Sequence, residues 1–81
     1  MEWKKVKKQY KAELIHEIDL ICKDKVIVSA SKDNPVVGTV THYRYKKIGR
    51  NNVRMCRFYP DIAPYLCYEF SSNWLKIIKN N

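Results

Sequence analysis

Two periodicities compete in the first 24 residues. At helical spacing Trp3, Val6, Tyr10, Leu14, Ile18 and Ile21 form one apolar stripe. The segment is rich in Lys, Glu, Leu and Gln and lacks Gly and Pro. Over residues 9–23, however, the chain also alternates. Tyr10, Ala12, Leu14, His16, Ile18, Leu20 and Cys22 fall on one side and mostly polar residues on the other. The charges oppose a helix, with lysines early and acids late, against the macrodipole. We read a helix over about 3–22, with a long bent first strand, or two strands meeting near His16, as the alternative. A strand spanning the whole segment would be unusually long.

Beyond residue 24 the pattern is that of β structure. Lys25-Val-Ile-Val-Ser-Ala-Ser is short and β-branched. Lys32-Asp33-Asn34-Pro35 is a turn. Val36 to Lys47 is a longer strand that carries Gly38, a residue that marks a bulge or a close backbone approach. Ile48-Gly49-Arg50-Asn51-Asn52 is the clearest hairpin turn. Val53 to Tyr59 is the next strand, Pro60 to Pro64 a loop and Tyr65 to Phe70 a fourth strand. Ser71-Ser72-Asn73 offers an N-cap to a short last element, Trp74 to Lys79. The expected architecture is α+β: an N-terminal helix (about 3–22) and a small antiparallel barrel of four to five strands in one domain, residues 1–81.

The segment Lys25 to Ile78 resembles SH3-like small barrels of the Tudor and KOW kind. The likeness rests on the Val-Ile-Val strand, on Val37-Gly38-Thr39-Val40 after a turn, on the basic hairpin and on the terminal Trp-Leu-Lys-Ile. Such barrels bind RNA, DNA, ribosomal surfaces or peptides, so the resemblance implies a binding module. A split OB-like barrel is the near alternative.

Charge adds the next constraint. The 81-residue chain carries a net +8, in two basic clusters separated by an acidic stretch that contains Glu13, Glu17, Asp19 and Asp24. The first cluster is Lys4, Lys5, Lys7, Lys8 and Lys11; the second is Arg44, Lys46, Lys47, Arg50, Arg54 and Arg57, with no acid between them. The second is interleaved with Tyr43, Tyr45, Phe58 and Tyr59. Guanidinium forks match phosphate oxygens and aromatic faces stack on bases. The candidate nucleic-acid-binding residues are therefore Tyr43, Arg44, Tyr45, Lys46, Lys47, Arg50, Arg54 and Arg57, with Lys4 and Lys8 as a second contact. DNA or RNA is the expected partner. The alternative is an acidic protein surface, met by a small regulator or inhibitor of a larger bacterial or phage assembly. A homodimer formed through the N-terminal stripe is compatible with either.

Catalytic chemistry finds little support. Neither GxGxxG nor GxxxxGK[ST] occurs, and only two glycines are present. Cys22, Cys56 and Cys67 stand alone rather than in CxxC pairs, so a zinc set completed by His42 is not expected, and neither is a Cys/His nucleophile. An odd cysteine count among apolar residues reads as buried free thiols in a reducing compartment. Glu13 and Glu17 read as solvated acids. No cofactor, metal or enzymatic activity is expected. No apolar run approaches a membrane span, and the expected location is cytoplasmic.

Overall fold

In the computed structural model, which describes residues 2–78, the chain is almost entirely β. The strands are β1 (Lys4–Leu14), β2 (Ile18–Cys22), β3 (Lys25–Ala30), β4 (Val36–Ile48), β5 (Asn51–Pro60), β6 (Tyr68–Ser71) and β7 (Leu75–Ile77). A single 3-10 turn, Ser72–Trp74, lies between β6 and β7. Five strands form one antiparallel sheet in the order β6-β5-β4-β1-β7, and β2 and β3 form a separate hairpin. The large sheet curls into a half-barrel.

The expected N-terminal helix is absent. Residues 4–14 and 18–22 are strands, separated by a bend at 15–17. The alternation therefore overrides the helical stripe. Ala12, Leu14 and Leu20 bury completely or almost so, whereas a helix would also have had to bury Ile21, which is 53% exposed. Pairing supplies the reason: β1 hydrogen-bonds to β4 on one side and to β7 on the other, so residues 10–14 satisfy their backbone with distant partners. The stripe proposed as a dimer face is thereby divided between different surfaces.

The turns follow local chemistry. Lys23 and Asp24 both have positive φ (51° and 63°) between the paired residues Cys22 and Lys25, a type I′ hairpin turn. Gly49 has φ +61° and Arg50 does not, which makes the β4–β5 connection a type II′ turn closed by Ile48 and Asn51. Ser31 and Asn34 exchange backbone hydrogen bonds across the third turn. Ser71 caps the 3-10 turn, its hydroxyl accepting from the Asn73 N–H at 3.3 Å. The last element is a strand rather than a helical turn, and Lys79, its expected end, lies outside the described residues.

The core lies on the concave side of the curled sheet. Leu14, Val36, Val40, Cys56, Phe58 and Phe70 meet Leu20 and Ala30 of the β2–β3 hairpin, which closes over one half of that face. An aromatic series extends the core: Phe58 packs on Phe70, Phe70 on Tyr68 and Trp74, and Trp74 stacks on His16 at 3.9 Å. The Tyr68 hydroxyl donates to the Ile21 carbonyl at 3.1 Å and fastens the small hairpin to the sheet.

Gly38 sits beneath Phe58. A Cβ at Gly38 would collide with the Phe58 ring and approach the Tyr59 carbonyl oxygen to 2.7 Å. Because the neighbour is a fully buried ring on the paired strand, it has little room to yield. Gly38→Ala should therefore destabilise the fold by about 1–3 kcal/mol, read as a lowered urea midpoint at unchanged m. Gly49→Ala meets no atom within 4 Å and should cost only the backbone strain of its positive φ, about 1–3 kcal/mol.

Candidate nucleic-acid interface

β4 and β5 are longer than their neighbours. β1 pairs with β4 only as far as Tyr43, and β6 pairs with β5 only back to Met55. Residues Arg44 to Arg54 consequently project as a ribbon in which each strand has only the other as partner. This ribbon carries Arg44, Lys46, Lys47, Arg50 and Arg54 and no acid.

A bulge decides which of these side chains share a surface. Val40 pairs with Phe58 and His42 with Arg57, leaving Thr41 without a partner. Thr41 Oγ1 and His42 Nδ1 are 2.7 Å apart. The extra residue reverses the alternation. Up to Val40 the even positions face the core; beyond Thr41, Tyr43 is opposite buried Cys56 and Tyr45 is opposite Arg54. Tyr43, Tyr45, Lys47 and Arg54 thus continue the concave face, and Lys4, paired with Tyr43, belongs to the same side. Arg44, Lys46 and Arg57 occupy the convex face. Arg50 sits at the tip. Lys8 lies in Val6–Gln9, a stretch of β1 that bulges out of register with β4, and is exposed. The cations expected to form one surface are distributed over two.

The two faces differ in chemistry. On the convex side Trp3 lies against two guanidiniums, with Arg57 4.6 Å and Arg44 4.9 Å from its ring centroid. Glu69 accepts from Arg44 at 2.6 Å and 3.0 Å through one carboxylate oxygen. Trp3 thereby anchors the start of the chain, and Arg44 is charge-compensated. On the concave side the Arg54 guanidinium lies 4.3 Å from the Tyr43 centroid, and Tyr43 meets Tyr45 edge-on at 6.0 Å. No carboxylate pairs with Arg54 among the described residues. Its burial works against the cation, but the neighbouring Tyr45 and Tyr10 oxygens outweigh that and hold its pKa up. Burial and the adjacent Cys56 thiol raise the Tyr10 pKa against the opposing pull of Arg54, so the phenol remains a neutral donor.

At the root of the ribbon the concave face opens into a pocket of about 280 Å³, lined by Tyr10, Arg54, Cys56, Ser72, Leu75 and Ile77. Of these only Arg54 stands out from the sequence. Tyr10 is concealed by the helix–strand ambiguity of its segment. Ser72, Leu75 and Ile77 reach the site because β7 returns to pair with β1, a long-range connection without a local signal.

The remaining candidates do not converge. Among the described residues no three His, Cys, Asp or Glu side chains gather closely enough to hold a metal ion. Cys56 is buried, Cys22 half-buried and Cys67 exposed, so the thiols do not share the buried environment expected of them. Lys11 pairs with Asp61 at 2.7 Å in an exposed bridge of small energetic weight. No helix among the described residues is long and apolar enough to cross a membrane. No protein-family model matches the chain, and no curated protein or solved structure matches it.

Exposure orders the thiols kinetically. In the native protein Cys67 should react first with a thiol-specific disulfide reagent, Cys22 more slowly, and Cys56 only on unfolding; peptide mapping of the labelled sites over time checks the order.

Proposed function

We propose that the protein binds nucleic acid along the concave flank and tip of the β4–β5 ribbon. The observation that carries this reading is the acid-free grouping of Lys47, Arg54, Tyr43 and Tyr45, with Lys4 beside it and Arg50 at the tip. Phosphate oxygens would take Lys47, Arg50 and Arg54, and the tyrosine rings would stack on bases. Lys46 adds a cation from the opposite side of the ribbon. Arg44 and Arg57 contribute less, because Trp3 occupies both and Glu69 compensates Arg44. Lys8 belongs to the outlying lysine field.

A second reading rests on the β2–β3 hairpin. Ile21 and Val26 are cross-strand partners, both more than half exposed, and form a small apolar patch remote in sequence from the ribbon. That patch favours a protein partner. Capture from lysate with and without nuclease separates the readings: partners that survive nuclease, and are lost with Ile21→Asp, support the protein-interaction reading.

Binding should be salt-dependent. In fluorescence anisotropy with short DNA and RNA oligonucleotides, log K should fall with log[salt] with a slope of about −0.7 per phosphate contact on single strands. Replacing Lys46, Lys47 and Arg50 together by Gln should lower affinity at least about tenfold and flatten the slope. No binding at low salt, or binding with no slope, removes the proposal. Glu69→Gln removes the carboxylate beside Arg44 on the opposite, convex face and should change the slope by less than one contact, about 0.7; a larger steepening would place the binding surface on the convex side.

A further inference from the structure

We infer that the pocket at the root of the ribbon receives one unstacked base, so that the protein selects single-stranded over duplex nucleic acid; this rests on the proposed nucleic-acid reading and deepens it. The first observation is continuity. Lys47, Tyr45, Arg54 and Tyr43 lie on one face, and Arg54 belongs both to that track and to the pocket wall. A backbone held by the track brings its next base to the pocket.

The second observation is the pocket's chemistry. Leu75 and Ile77 supply apolar walls, and Tyr10 adds an aromatic ring. The polar groups are the donor-only Arg54 fork and the Tyr10 and Ser72 hydroxyls, each of which can donate or accept. A base presents a flat π face together with ring-nitrogen and carbonyl acceptors on its edge, which suits walls of this kind. A phosphate is a poor fit to the apolar floor, and an aliphatic chain would leave the donors unpartnered.

The third observation is size. A volume of about 280 Å³ lies just below the range of roughly 300–1,000 Å³ typical of sites for whole drug-sized ligands, which suits a single base rather than a folded nucleotide chain. In a duplex every base is stacked and paired, and extruding one is costly. A single strand escapes most of that cost, and the difference generates selectivity without sequence-specific contacts.

The test uses a labelled single-stranded DNA of about 12 nucleotides, the duplex of the same sequence, and anisotropy at low salt. The full chain is compared with Ile77→Trp, which fills the pocket mouth from an edge position that is 65% exposed and so spares the core. The wild type should prefer the single strand by about tenfold or more. Ile77→Trp should abolish that preference by weakening single-strand binding about tenfold. As a second measurement, the Tyr10 ring resonances should shift when the single strand is added and remain in place with the duplex. Equal affinity for the two forms, or a single-strand affinity indifferent to the filled mouth together with unmoved Tyr10 resonances, overturns the pocket while leaving the ribbon standing. Failure of the folded wild type to bind either form overturns both.

Discussion

The packing of Phe58 against the bare Cα of Gly38 is the constraint on which the other features depend. The ring occupies the volume a side chain at Gly38 would need, so it lies directly against the β4 backbone at the centre of the sheet. Phe58 is fully buried there and joins Phe70, which in turn engages Tyr68 and Trp74. With this centre in place, the β2–β3 hairpin covers one half of the concave side and leaves the other half open. The open half is where the tyrosines, Arg54 and the pocket are found.

Thr41 then separates the two chemistries of β4. One unpartnered residue reverses the facing of every side chain beyond it, so the tyrosines continue the concave side and Arg44 and Lys46 turn outward. The outward side finds its own compensation in Trp3 and Glu69, which tie the first strand and β6 to the centre of the sheet. The concave side has no acid from any strand of the sheet and retains an uncompensated guanidinium. A charge cluster contiguous in sequence is divided between a convex face, on which Glu69 pairs with Arg44 and Trp3 covers Arg44 and Arg57, and a concave face without an acid.

The legible parts of this protein were those with local causes. The hairpin at Gly49, the turn before Pro35 and the Ser71 cap all follow from residue types that favour those backbone angles; the loop expected at Pro60 to Pro64 is displaced, because β5 runs through Pro60, paired with Gly38, and the fourth strand begins at Tyr68 rather than Tyr65. The first strand was misread because Lys, Glu and Leu favour helix and the apolar positions satisfy both periods over a short span; only pairing with β4 and β7 settles the choice, and such pairing leaves no local trace. The site was half legible. Arg54 and the two tyrosines stood out by composition, but Thr41 has no glycine or proline to announce a bulge, and strict alternation from Val36 would have placed Arg44 beside Val40. Tyr10, Ser72, Leu75 and Ile77 enter the site through topology alone.

The projecting ribbon has a thermodynamic consequence. Beyond Tyr43 and Met55 it has no third strand to restrain it, and an unsupported strand pair is only marginally ordered in water. Whatever grips it must therefore also quench its conformational freedom, and part of the association energy is consumed in doing so. On the proposed reading, affinity for nucleic acid is governed by stiffness as well as by charge: a ribbon made more rigid without altering a single cation would hold the strand longer, chiefly through slower dissociation.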